Sequence, residues 1–215
     1  MEDKIRKIIL KSIKGLKEKR PIFHSEADFQ HSLAVKIKEE SKEENLEVRL
    51  ERRVSSDKKD KNYVDIILLN EDYEIFIELK YKTKLPKNKK FFKVKEEKFL
   101  ISNQGAQDLG RYHFFSDIKD LENIKLKGKQ KKAFAIFLTN DPLYWKGSRK
   151  GNIAENFEIK DERQINPGSF DWKEDKKWTK GYDPLNLKGI YKFKWEDYSS
   201  IENTEFKFLM VEIIC

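Results

Sequence analysis

The chain has 215 residues, of which 39% are charged and 38% hydrophobic, and its formal net charge is +8. This length suits one sizeable α/β domain, and an aromatic content of 13% is enough for a core, which excludes disorder throughout. No apolar run is long enough for a membrane span, and the N-terminus lacks the apolar segment of a signal peptide. The single cysteine, Cys215, excludes disulfides and a cysteine-based zinc site. We therefore expect a soluble, cytoplasmic protein with no membrane partner.

Two helices are predicted at the start of the chain. Residues 2–17 carry Ile and Leu at near-helical spacing, which predicts an amphipathic helix. Ser25, with the acidic Asp28 three positions later, has the pattern of a helix N-cap, so a second helix is expected to run to about Glu40.

Strands are predicted next, at about 46–53, 62–69 and 73–80, followed by a lysine-rich loop to about residue 100. A helix from Ser102 to about Phe115 and a shorter one around 118–124 come after it. Residues 132–139 form an unbroken apolar run, which is typical of a strand covered on both faces. Helices are therefore expected on both sides of the sheet.

Glycine and proline punctuate residues 141–188, which predicts a loop-rich region before strands at about 189–194 and 206–214. Four tryptophans lie in or beside it, and they would either pack inside the protein or form a substrate-facing surface: Trp145, Trp172, Trp178 and Trp195. The whole chain, 1–215, is interpreted as a single domain, with a core of about 20–140 and a C-terminal elaboration of about 141–215.

The hairpin of the second and third strands gathers charged residues. A connecting loop of two or four residues would place Asp65 opposite Glu78, and Lys80 would share their face because side chains alternate along a strand. An odd-length loop would destroy this alignment. The other face of the hairpin would be apolar: Ile66, Leu68, Ile75, Ile77 and Leu79.

Two carboxylates this close repel each other unless a cation lies between them. Mg²⁺ or Mn²⁺ prefers such hard oxygen ligands and can activate a water, while Lys80 could position that water or offset charge on a phosphate. The alternative is an ordinary salt bridge at the strand ends.

Three further features bear on function. Glu26 begins the second helix on the side expected to face the sheet, although it could equally favour the helix dipole. Gln107 and Arg111 are one helical turn apart and suit phosphate or base contacts, or surface hydrogen bonds. The segment 82–98 is rich in lysine and would attract a polyanion, although lysine abundance can also serve solubility.

The order of these parts resembles the PD-(D/E)xK nuclease superfamily over residues 20–140, and DLGRYHFFSDI and FLTNDPLYW resemble an uncharacterised bacterial branch. Val64 stands where the pattern has proline. The resemblance implies a restriction-endonuclease-like αβββαβ core: a mixed central sheet flanked by helices, here with loop-rich C-terminal β additions. It implies catalytic Asp65, Glu78 and Lys80, and metal ligands Asp65, Glu78, the Leu79 carbonyl and Glu26. Nucleic-acid contacts are expected from Gln107, Arg111, Tyr112, Lys82, Lys84, Lys87, Lys89 and Lys90.

The function predicted on this basis is Mg²⁺- or Mn²⁺-dependent hydrolysis of phosphodiester bonds in DNA. The alternatives are a nucleic-acid-binding or assembly module that keeps the fold without cleaving, and a basic protein-interaction domain. A homodimer would supply two sites for cutting a duplex. His24, His31 and His113 lack metal-ligand spacing and are expected in caps or packing.

Overall fold

The computed structural model describes residues 2–54, 63–124 and 130–213. It contains α1 (Glu2–Leu16), α2 (Glu26–Glu40) and α3 (Gln107–Asn123), with short 3₁₀ turns at Lys42–Glu44, Glu155–Phe157 and Thr179–Gly181. The first two helices are the predicted ones, and the Ser25 side chain accepts a hydrogen bond from the Asp28 N–H, which confirms the N-cap. Positions 62 and 214, at the ends of two predicted strands, lie outside the described residues.

The strands are given in chain order. They are β1 (Glu47–Arg53), β2 (Tyr63–Leu69), β3 (Tyr73–Lys82), β4 (Phe92–Val94), β5 (Glu97–Phe99), β6 (Gln130–Thr139), β7 (Gln164–Ile165), β8 (Gly168–Phe170), β9 (Leu185–Leu187), β10 (Tyr191–Lys192), β11 (Trp195–Ile201) and β12 (Thr204–Ile213). The predicted lysine-rich loop therefore includes the short β4–β5 hairpin.

Six strands form the central sheet in the order β1-β2-β3-β6-β12-β11. The sheet is mixed, because β3 and β6 run parallel and the other neighbours run antiparallel. α1 and α2 pack on one face, where they join the first hydrophobic cluster with Ile66, Ile75 and Ile77. α3 packs on the other face with Ile67 and Phe76. The predicted α/β class with helices on both faces is confirmed.

The helix prediction after the lysine-rich loop was wrong in two respects. Residues 102–106 are not helical, because this segment is hydrogen-bonded to the residue that follows β3. Thr83 Oγ1 donates to the Ser102 carbonyl, and the Thr83 carbonyl accepts a hydrogen bond from the Gln104 N–H. Ala106 then takes a left-handed conformation (φ 60°) immediately before α3. No break separates the two predicted helices, which form the single helix α3.

The C-terminal strands extend the central sheet, since β12 pairs with β6 along Lys207–Ile213. β11, at the sheet edge, reaches back to the segment between α1 and α2. Tyr198 Oη donates to the Arg20 carbonyl at 2.6 Å and Ser199 Oγ donates to the Pro21 carbonyl at 2.5 Å. The region 141–188 is loop-rich, as predicted. No helix within the described ranges has both the length and the apolar character needed to cross a bilayer.

Candidate functional site

The turn between β2 and β3 sets the register of the charged face. Asn70 Oδ1 accepts hydrogen bonds from the N–H groups of Asp72 and Tyr73, and the hairpin pairs Ile67 with Phe76 and Leu69 with Glu74. This is the predicted even-loop register. The apolar side of the hairpin is also as predicted, because its five members all belong to the first hydrophobic cluster.

The two strands separate where the carboxylates lie. Backbone pairing of β2 with β3 ends at Ile66 and Ile77. Beyond that point the Leu79 N–H donates to Asp65 Oδ2 at 2.6 Å, and the Tyr81 N–H donates to Glu26 Oε2 at 2.6 Å. Side-chain oxygens thus replace the neighbouring strand as acceptors, so both carboxylates are fixed at the opening between β2 and β3.

The other edge of β2 is distorted at the same residue. Pairing with β1 includes positions 50 and 52 but omits Glu51, which has a left-handed φ of 50°. The Gln30 side-chain amide, from α2, donates to both the Glu51 carboxylate and the Asp65 carbonyl at 2.7 Å. Local distortion of this kind is common beside functional sites. The sequence did not single out Gln30.

Lys80 is held by a carboxylate that the sequence analysis missed. Its Nζ lies 2.8 Å from Asp117 Oδ2, a residue of α3, and donates to the Leu79 carbonyl at 3.3 Å. The Lys80 and Asp117 side chains are only 17% and 15% exposed. Asp117 lies on the same face of α3 as the buried residues Phe114 and Ile118. A carboxylate on an otherwise apolar helix face is the sequence signal that could have identified Asp117.

The site has more carboxyl groups than cationic groups, and their pKa values are raised accordingly. Burial, together with the neighbouring Asp117 and Asp65 carboxylates, raises the pKa of Glu78 to about 10. Burial also raises the pKa of Asp65, although the Leu79 N–H opposes the change, and raises the pKa of Asp117 to about 7 against the effect of Lys80. Glu78 therefore holds a proton near neutral pH and donates it in a hydrogen bond to Asp65.

Lys80 remains charged. Burial by itself would lower its pKa, but the Asp117 carboxylate, with Glu26 and Glu78 beyond it, outweighs burial and raises the pKa above the usual value. Lys80 is therefore an ammonium in this arrangement, suited to stabilising negative charge and not to removing a proton.

The donor chemistry fits a hard divalent cation. Asp65 and Glu78 are adjacent carboxyls that share a proton, and a cation between them would remove the same repulsion. Within residues 2–54, 63–124 and 130–213, no three His, Cys, Asp or Glu side chains are already grouped to hold a metal. The Leu79 carbonyl and water would have to complete the coordination, while Glu26 is bound to the Tyr81 N–H.

A cleft of about 240 Å³ gives access to the site from one side. Glu78 and Asp117 lie in its wall, and the same wall includes Tyr63, whose side chain is 51% exposed. The carboxyls are thus half-buried at the edge of a cleft and are not sealed in the core.

The predicted nucleic-acid contacts on α3 have structural partners. Arg111 is 1% exposed, forms an ion pair with Asp108 at 2.9 Å and donates to the Leu143 carbonyl. Gln107 donates to Asp141 at 2.8 Å. Tyr112 is 7% exposed and its hydroxyl donates to the Asp183 carbonyl. These side chains hold the C-terminal region against α3, so Arg111 and Tyr112 are not available to a ligand here.

The predicted basic contacts divide into two groups. Lys84 forms an ion pair with Asp141, and Lys89 forms one with Glu202, so their charges are offset within the protein. Lys87 and Lys90 are exposed, and Lys82 is half-buried at the end of β3, two residues beyond Lys80. Of these lysines, Lys82 is the one that the strand places close to Lys80, whereas Lys87 and Lys90 present their charges to solvent in the loop that follows.

Three of the four tryptophans are buried, as packing predicts, whereas Trp178 is 45% exposed.

No protein-family model, curated protein or solved structure matches the chain.

Proposed function

We propose that the chain is a metal-dependent nuclease with a restriction-endonuclease-like architecture. The observation that carries this proposal is the meeting of Asp65, Glu78 and Lys80 at the point where β2 and β3 separate. Apart from the short β4–β5 hairpin inserted before α3, the element order α2-β1-β2-β3-α3-β6 agrees with the αβββαβ core that the resemblance implies.

Each residue has a distinct task in this proposal. Asp65 and Glu78 would hold Mg²⁺ or Mn²⁺ with the Leu79 carbonyl. The bound ion would supply a Lewis acid that activates water and polarises a phosphate. The Lys80 ammonium would stabilise the negative charge that develops on the attacked phosphate, and Asp117 would keep that ammonium in place. Glu26 and Gln30 would position β3 and β2 around the site.

The lysines that end and follow β3 favour a polyanionic substrate. Lys82, Lys87 and Lys90 continue from the same strand end, and a phosphate backbone bound by them would lose affinity steeply as salt rises. DNA is the proposed substrate, with hydrolysis of its phosphodiester bonds as the reaction.

The test compares cleavage of labelled single- and double-stranded DNA, and of RNA, with Mg²⁺ or Mn²⁺ and with EDTA. Asp65→Asn keeps an acceptor for the Leu79 N–H but removes the charge, so we expect at least a 100-fold loss of cleavage with the fold intact. Asp161→Asn is the matched control, because Asp161 also accepts a backbone N–H, that of Trp195, on another part of the molecule.

A second measurement does not depend on activity. Mn²⁺ should raise the midpoint of thermal unfolding of the wild type and of Asp161→Asn, but not that of Asp65→Asn. Metal-dependent cleavage that survives both Asp65→Asn and Lys80→Ala would disprove the proposed site. Salt-sensitive binding with no cleavage of any substrate would favour the non-catalytic binding module instead.

A further inference from the structure

An aromatic surface lies beside the candidate site, at the junction of α3 and the loop-rich region. Its outer members are His113, which is exposed, Tyr182, which is half-buried, and Trp178, which is 45% exposed. We call these three residues the aromatic platform. None of them belongs to the Asp65, Glu78 and Lys80 site.

The platform rests on a rigid floor. Tyr112 and Trp172 are stacked, with ring centroids 5.3 Å apart and planes 17° apart, and both are buried. Tyr182 packs edge-on against Tyr112 at 5.1 Å, and Trp178 packs edge-on against Trp172 at 5.1 Å. The outer rings are thus held in place by buried rings, so binding a flat ligand would cost little side-chain ordering.

α3 connects the platform to the candidate site. His113 and Asp117 are four residues apart on this helix and lie on the same face. Asp117 contacts Lys80, while the His113 ring lies 5.9 Å from those of Tyr112 and Tyr182. Burial, and then the charges of Lys80 and Lys82, lower the pKa of His113, which agrees with this proximity. The platform therefore begins about one helical turn from the residues around Lys80.

The charges around the platform are mixed, and they identify which part of a ligand would contact it. Lys177 and Lys180 are exposed on either side of Trp178, and Lys82 lies toward the site. Asp171 and Asp183 are also exposed, close enough to Tyr112 to raise the pKa of its hydroxyl, although burial has the larger effect. Carboxylates repel phosphates, so the rings suit the uncharged faces of bases, while the lysines suit the backbone.

We propose that the aromatic platform stacks the unpaired bases of a single-stranded nucleic acid next to the scissile phosphate. This rests on the proposed nuclease function for the location of that phosphate. In a duplex the faces of the bases are covered by their neighbours in the stack, so the platform could not reach them without unstacking the helix. Single strands, or the frayed or unpaired parts of a duplex, are the substrate class that the platform selects.

The first experiment measures binding without cleavage. Fluorescence anisotropy of a labelled 12-nucleotide single strand and of the matching blunt duplex, in EDTA, should show at least tenfold tighter binding of the single strand by the full chain. Trp178→Leu and Tyr182→Ala should each weaken single-strand binding about tenfold or more. Trp178→Phe should retain most of the affinity because it keeps an aromatic face.

Ile190→Ala is the matched control, since Ile190 is also a large apolar residue, 56% exposed, in the C-terminal region, and its removal should not change binding. Equal affinity for single strand and duplex, or unchanged affinity in Trp178→Leu, would overturn the proposal. If no oligonucleotide binds at low salt, the proposal is also overturned, and the aromatic platform would instead be interpreted as a contact surface for a protein.

The same variants separate this inference from the proposed function. If Trp178→Leu cuts single and double strands like the wild type while Asp65→Asn does not, the platform proposal fails and the nuclease proposal stands. If no substrate is cut, yet single-strand binding depends on Trp178 and Tyr182, the nuclease proposal fails and base stacking stands.

Discussion

The Asp65 carboxylate accepts the Leu79 N–H at 2.6 Å, which joins the two strands by a side chain where their backbone pairing has ended. The same carboxyl shares a proton with Glu78. Asp65 therefore has two separable roles, as an acceptor for the backbone and as a charge in the site.

Substitution of Asp65 should separate these roles. Asp65→Ala leaves the Leu79 N–H without its acceptor and should lower the free energy of unfolding by about 1–3 kcal/mol. Asp65→Asn keeps an acceptor and removes the charge that opposes ionisation of Glu78, so its stability without metal should equal or exceed that of the wild type. Urea unfolding in EDTA measures both. Equal destabilisation of the two variants would contradict the role of Asp65 as a backbone acceptor.

The raised pKa of Glu78 makes stability depend on pH. Because the folded protein binds a proton at Glu78 that the unfolded chain has lost, metal-free stability should fall as pH rises from about 4.5 toward about 10. The slope from this one group is at most about 1.4 kcal/mol per pH unit. Glu78→Gln should flatten the curve measured by urea unfolding between pH 5 and pH 9. An unchanged slope in that variant would show that Glu78 is ionised throughout.

The Lys80–Asp117 ion pair should be detectable as a coupling energy. Lys80→Met leaves the half-buried Asp117 carboxylate without its cation, and Asp117→Asn leaves the half-buried Lys80 ammonium without its carboxylate. The double variant should be more stable than the sum of the two single effects predicts, by about 1–3 kcal/mol. A double-mutant cycle by urea unfolding checks this. Additive effects would mean that the contact contributes nothing to stability.

Gly110 should not tolerate a side chain. A Cβ at this position would lie 2.3 Å from Tyr144 Oη, and Tyr144 is 1% exposed, so it has little room to move. We expect Gly110→Ala to cost about 1–3 kcal/mol. Tyr144→Phe removes the clashing oxygen and should recover part of this loss in the double variant. Thermal unfolding of the two single variants and the double variant tests the contact. If Tyr144→Phe recovers none of the stability lost in Gly110→Ala, the clash with the Tyr144 hydroxyl is not the cause of the loss.

The sequence allowed the two strands of the hairpin to be predicted because the alternation of side chains along a strand is a local property. Asp65 faces Glu78 and Lys80 only if the connecting loop is even, a choice that the turn residues left open and that the Asn70 turn of the structure decides. Asp117 could not be found in the same way, because its contact with Lys80 depends on how α3 crosses the sheet. The only local indication was a carboxylate on an apolar helix face.

The sequence was less informative where segments that are distant along the chain meet. Residues 102–106 were predicted as the start of a helix, but their hydrogen bonds with Thr83 hold them beside the end of β3. Arg111 was expected to contact nucleic acid because its spacing from Gln107 is that of a surface pair. Burial against the 141–145 segment, which only the folded C-terminal region provides, gives it a structural role.

The contacts of Tyr198 and Ser199 with the Arg20–Pro21 segment join positions 178 residues apart in the sequence. Closing so large a loop costs entropy before any contact compensates for it, which slows folding. A nascent chain on the ribosome can form the α1–α2 pair early, and Tyr81 of β3 can hold Phe23 through two hydrogen bonds, but the contacts at Arg20 and Pro21 must wait until β11 has been synthesised. The support of the segment that leads to Glu26 is therefore completed only once β11 is in place at the edge of the sheet.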